Sequence, residues 1–168
     1  MRRWLVLLLE LALLAAGAGC AREMAGAEKE GAYLLYFPVD SNQDVYGSAL
    51  DTQPYGGEAE PGVESLMEAL LQGPTQDGLI SPFPRNVSLI AWEWKEDGVL
   101  HITLSEQYGD LADISLTLAD YCIVLTLSQL QGVEGVEIQS HGYSVNYRSH
   151  QLLRPEEAEL SAPPTTGA

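Results

Sequence analysis

The sequence predicts an α+β domain: a two-layer sandwich of about four strands with two helices packed on one face, in the order β-α-β-β-α-β. Three observations carry this. Two segments repeat apolar residues at helical spacing, β-rich runs lie before, between and after them, and an Asp-Gly pair joins the middle two runs. Two helices over one face of a small sheet is the economical packing of that order.

The first strand is expected over Tyr33 to Val39, a run rich in aromatic and apolar residues. A long polar loop is expected from Asp40 to about Glu60, where Gly47, Pro54, Gly56 and Gly57 interrupt any pattern. Val63, Leu66, Met67, Leu70 and Leu71 then fall on one helical stripe, with Pro61 suited to the first turn and Gly73-Pro74 to the stop. A second strand, Val87 to Trp94, leads through Asp97-Gly98 into a third, Val99 to Leu104. Asp-Gly between two such runs signals a tight hairpin. Leu100, Ile102 and Leu104 alternate with Val99, His101 and Thr103, so one sheet face should be packed and the other at least partly wet. The second helix is expected over Ser115 to Gln131, with Thr117 and Asp120 as a capping box and Gly132 past its end. A fourth strand, Val136 to Gln139, follows, then a turn at His141-Gly142 and a short extended piece around Val145 to Tyr147.

Both ends lie outside this pattern. Residues 1–19 read as a signal peptide of the lipoprotein kind: Arg2 and Arg3, an apolar run broken by Glu10, and small residues leading to Cys20. Cys20 is then the lipidation residue, carrying acyl groups such as palmitate at the outer face of the cell membrane. Gly17 stands where a lipobox would have Leu. Ala16-Gly17-Ala18 also satisfies an ordinary A-x-A cleavage site, which would release a soluble protein. Residues 20–31 are small and charged and read as a tether, 32–150 as the domain, and 151–168 as a disordered tail.

The chain carries 24 acidic against 8 basic side chains, a formal net charge of −16. Such a molecule has no electrostatic attraction to phosphate backbones or anionic headgroups, so nucleic acid is excluded as a partner. The second cysteine, Cys122, sits in the apolar run Tyr121 to Leu125 and reads as an inert buried thiol; an intramolecular disulfide is not expected.

No catalytic set emerges. His101, His141 and His150 have no spacing of zinc ligands, and no metal site or cofactor is expected. Ser140 beside His141 is no triad, whose members meet in space rather than in sequence. Asp40-Ser41-Asn42-Gln43-Asp44 alternates oxygen side chains as calcium loops do, but Val45 stands where such a loop turns on Gly, and Asp51 where it ends on Glu; a solvated loop is the better reading. Glu64 and Glu68, one turn apart, read as the wet face of the first helix. Glu106 has no partner carboxylate in view. The aromatic set is more suggestive. Trp92 and Trp94 share a face of the second strand, with Ile90. They are expected beneath the helices, which must be covered by something large. On the open face they would instead form, with His101, a binding surface for protein or sugar.

These elements resemble the GerMN domain of bacterial sporulation and spore-germination proteins, from about Tyr33 to Tyr147. The marks are Ala69-Leu70-Leu71-Gln72-Gly73-Pro74, Ser81-Pro82-Phe83-Pro84, Asp97-Gly98, Leu104-Ser105-Glu106-Gln107-Tyr108, Leu125-Thr126-Leu127 and Val133-Glu134-Gly135-Val136-Glu137-Ile138. The resemblance implies an exported lipoprotein with an α+β scaffold used for protein contact, similar to the ring-building modules of envelope machines. Some family members carry two tandem copies; here there is one. The function so implied is a membrane-anchored binding or scaffold module in sporulation or germination, its partners envelope or sporulation proteins or peptidoglycan. A solute- or glycan-binding lipoprotein is the alternative, and a peptidoglycan-acting enzyme the third reading.

Overall fold

Residues 33–40, 48–142 and 152–158 are described by the computed structural model. The leader, Cys20, the tether, the piece around Val145 to Tyr147 and His150 lie outside the described residues, as does loop 41–47.

The first strand, Leu34–Pro38 (β1), forms as expected, but its partner is one the sequence did not announce. Leu50–Pro54 (β2) pairs with it antiparallel, so the expected Asp40–Glu60 loop contains a strand. Leu-Asp-Thr-Gln-Pro has little strand preference of its own. It is held by pairing and by burial of Leu50 and Gln53 at alternate-face positions. The Gln53 carboxamide oxygen accepts from the backbone N–H of Thr75 and Gln76 at 2.9 and 3.2 Å, fixing the chain after the first helix.

That helix, Val63–Gln72 (α1), buries Val63, Leu66, Met67 and Leu70, the predicted stripe. Gly62 is its N-cap, which places Pro61 just before the helix rather than in its first turn. Gly73 ends it at φ 91°, its N–H donating to Leu70 O.

Leu89–Trp94 (β3) and Val99–Leu104 (β4) form the expected hairpin. Asp97 and Gly98 are both left-handed (φ 59° and 71°), and Val99 N–H donates to Glu96 O across them, a type I′ turn. Gly135–Ser140 (β5) lies parallel to β4, as the intervening helix allows, and Leu152–Leu153 (β6) pairs antiparallel with β5. The sheet order is β3-β4-β5-β6. The main sheet has four strands, but β1 is not among them, and β1 and β2 form a separate ladder. Leu100, Ile102, Leu104, Val136 and Ile138 are buried on one face, while Val99, His101 and Thr103 on the other are half-covered.

The second helix, Asp113–Leu127 (α2), starts two residues earlier than expected and ends four earlier. Its capping box does not form. Ala112 is the N-cap with no side-chain bond, Thr117 Oγ1 donates back to Asp113 O, and Asp120 lies in mid-helix accepting from Tyr108 Oη at 2.6 Å. From Ala119 to Leu127 the helix is buried almost all round, because it packs against β5, α1 and β1 together. Beside β1 it also serves the strand's backbone. Tyr36 N–H donates to Thr126 Oγ1 (3.2 Å), and Gln129 just past the helix accepts from Leu34 N–H (2.8 Å) and donates to Leu34 O (2.7 Å). Side chains on α2 and just past its end thus pair the groups an edge strand would leave to water.

The described part of the expected disordered tail is ordered. Leu152–Leu153 joins the sheet and Pro155–Ala158 (α3) makes one helical turn, burying Leu153 and Ala158. Its Glu-rich composition hid two apolar anchors at the right spacing.

Candidate functional site

The largest exposed apolar feature among the described residues is on β3. Ile90, Trp92 and Trp94 are 54%, 37% and 48% exposed. Trp92 pairs with Ile102 and Trp94 with Leu100, so both indoles rise on the helix-covered face, the face expected. They are nonetheless not core. β3 is the terminal strand of the sheet, and α1 touches it without covering it; all its residues after Leu89 are exposed. The expectation of burial is therefore corrected by position in the sheet rather than by parity. Ile90 departs from the alternation, because the register slips between Leu89 and Ala91 in a β-bulge.

Trp92 is fixed in place: its Nε1 donates to Glu64 Oε1 at 3.0 Å, from β3 to α1. A charge-assisted bond of this kind orients the ring. Beside it, Glu64, Glu68 and Leu71 of α1 face Val87, Ser88 and Leu89 across an open groove of about 430 Å³. Glu64 and Glu68 are exposed, as predicted, but nothing in the residues around Glu64 marks it as the holder of an indole 28 residues away.

His101 lies on the opposite face, as expected, so it does not join the tryptophans in one surface. Across three strands it stands in a row with Glu93 and Glu137, and its Nδ1 is 3.1 Å from Glu137 Oε2. Glu106 is exposed on a short 3₁₀ turn, Glu106–Asp110. Ser140 Oγ donates to Ser105 O, a structural bond that closes β5 onto the end of β4. Asp51, where a calcium loop would end, is a β2 residue whose carboxylate accepts from Thr52 N–H. Among the described residues, no three His, Cys, Asp or Glu side chains converge in a metal-holding group. Cys122 is wholly buried, and burial pushes its thiol up from 9.0 to about 12, partly offset by a backbone hydrogen bond.

The described residues thus form an α+β domain with a buried, unreactive thiol and its largest exposed apolar feature at a sheet edge. The model of the Germane family, described as sporulation and spore germination, matches residues 34–146, and the chain belongs to that family. Three solved structures are similar in fold. The tandem GerMN domains of the sporulation protein GerM from Bacillus subtilis are 22% identical at a TM-score of 0.48, over 73% of this chain and 44% of that one. A candidate lipoprotein from Clostridium perfringens is 23% identical at 0.49, over 74% and 87%. The first GerMN domain of GerM from Bacillus subtilis is 18% identical at 0.47, over 68% and 83%. The chain thus spans less than half of the tandem GerM structure. None of the curated proteins matches it. No helix among the described residues is long and apolar enough to cross a membrane.

Proposed function

We propose that this chain is a lipoprotein held at the extracytoplasmic face of the cell membrane through Cys20, whose GerMN-type domain is a non-catalytic binding or scaffold module of sporulation or spore germination. The observation that carries the reading is the family match across residues 34–146. The anchor is supported by the leader: paired arginines, an apolar run and small residues directly before Cys20. Acyl chains on that cysteine contribute about 0.8 kcal/mol per buried CH₂, so two chains suffice for stable attachment where one does not. The domain's contact partners are envelope or sporulation proteins, or peptidoglycan, met through surface rather than a reactive pocket.

Disruption of the gene, with sporulation and germination scored separately, tests this. One of the two stages is expected to fail. Cys20→Ala is expected to yield protein that leaves the membrane fraction and does not restore that stage. Normal sporulation and normal germination together would refute the proposal.

The exposure of Trp92 and Trp94 also favours a second reading, a glycan-binding lipoprotein, since indoles stack on sugar rings. Muropeptides that shift the tryptophan emission would support it; an unchanged spectrum at saturating muropeptide would dispose of it.

A further inference from the structure

We infer that the outer edge of β3 is a strand-addition site for an extended, cationic segment of a partner protein. The inference rests on the contact role proposed above and names the surface and the chemistry of what it receives. Three observations converge on this edge.

The first is backbone geometry. Lys95 N–H donates to Val99 O at 2.8 Å, and the register runs on from that pair through Glu93↔His101 to Ala91↔Thr103. In an antiparallel ladder such bonded pairs alternate with unbonded ones. Lys95, Glu93 and Ala91 therefore turn their N–H and C=O groups towards β4, and Trp92 and Trp94 turn theirs outward. Among the described residues no strand pairs with that side. It contrasts with β1, whose Leu34 and Tyr36 backbone groups are met by Gln129 and Thr126. Side chains on α2 and just past it close the β1 edge, whereas among the described residues the β3 edge has no such cover.

The second is apolar surface on the same residues. The two that offer backbone bonds also offer half-exposed indoles, and the bulge at Ile90 adds a third apolar side chain. An added strand gains main-chain bonds from the edge and specificity from every second side chain. Here those alternate side chains would lie against the Trp92 and Trp94 rings.

The third is charge, and it selects the occupant. Glu64 holds Trp92, and Glu68 borders the adjoining groove. Glu93 and Glu96 are exposed on β3 and at its turn, and Lys95 is paired with Glu93 at 3.4 Å. An incoming strand thus meets carboxylates on both faces. A second copy of this chain, at a net charge of −16, is repelled; a segment that alternates Lys or Arg with apolar residues is attracted.

The test uses the full chain in detergent micelles with Trp4→Phe, so that Trp92 and Trp94 alone report. Three nine-residue probes are titrated: one alternating Lys with Val, its Glu-for-Lys counterpart, and the Lys–Val peptide N-methylated at alternate amides. The Lys–Val probe is expected to shift the emission with saturation, and the other two to leave it unchanged up to about 1 mM. Glu64→Gln with Glu68→Gln is expected to weaken binding about tenfold, each lost pair being a surface ion pair. Far-UV circular dichroism unchanged by the double substitution keeps that result a statement about the surface. No response to the Lys–Val probe overturns the inference, and so does equal binding of the N-methylated probe, which would mean charge alone without strand pairing. Tighter binding of muropeptide than of any peptide overturns it in favour of a glycan surface. None of these outcomes bears on sporulation or germination, which the gene disruption tests separately.

Discussion

Replacing Gly98 by Ala should destabilise the domain by about 3 kcal/mol, through two separable effects. Gly98 occupies the second central position of the type I′ turn at φ 71°, where a non-glycine residue costs about 1–2 kcal/mol. A Cβ there would also stand 2.8 Å from Gly132 O and 3.0 Å from Glu134 Cγ. The first neighbour is backbone, which cannot swing aside, and Glu134 N–H is tied to Gly98 O at 2.8 Å. Relieving the clash therefore moves the β3–β4 turn away from the start of β5, adding a further 1–2 kcal/mol of lost packing. Gly132→Ala separates the two effects: its φ is 87°, yet a Cβ there meets nothing within 4 Å. It should cost about 1–2 kcal/mol only. Gly62→Ala, at an ordinary φ of −89° with open space around it, should be close to neutral. Thermal unfolding followed by far-UV circular dichroism reads the series at about 4 °C per kcal/mol for a domain of this size. Equal midpoints for Gly98→Ala and Gly132→Ala would refute the close approach of the hairpin to the Gly132–Glu134 segment.

Further outcomes follow from the same packing. Native protein should resist maleimide at Cys122 near neutral pH and react once unfolded in guanidinium. The unfolded thiol loses its proton from about pH 9.0 and the folded one near 12, so stability should fall by up to about 1.4 kcal/mol per unit above pH 9, and Cys122→Ala should remove that slope. Gln129→Ala should cost about 1–3 kcal/mol in a denaturant titration, since Leu34 loses partners for both N–H and C=O, and should leave β1 open to pairing between molecules. Tyr108→Phe should cost about 1–3 kcal/mol by the same assay, because the buried Asp120 carboxylate loses a donor at 2.6 Å. Leu100→Ala should cost about 2–5 kcal/mol, whereas Trp94→Ala, directly beside it in the sheet but half-exposed, should cost far less.

What could be read from the residues was whatever they impose locally. The α1 stripe, the Gly73 stop, the Asp97-Gly98 turn and the alternation of β4 are each specified within a few positions, and each is found. β2 was illegible because Leu-Asp-Thr-Gln-Pro becomes a strand only against β1. Asp120 looked like a cap because its partner Tyr108 is brought to it by a 3₁₀ turn, not by helix spacing. The candidate site was half legible. Parity put both tryptophans on one face, and the need to cover two helices pointed to the face they occupy, but exposure depends on where a strand falls in the sheet order, which neither carries. Gln129 and Glu64 act through partners 95 and 28 residues away, and nothing in their own surroundings marks either role.

The claim on which the functional account turns is that this domain works by its surface at the β3 edge. Restoring the disrupted strain with chain bearing Trp92→Ala and Trp94→Ala measures that directly, once abundance, membrane fractionation and unfolding midpoint are matched to the unaltered chain. The account predicts that the unaltered chain restores the failing stage and the double variant does not. Full restoration by the double variant would contradict it.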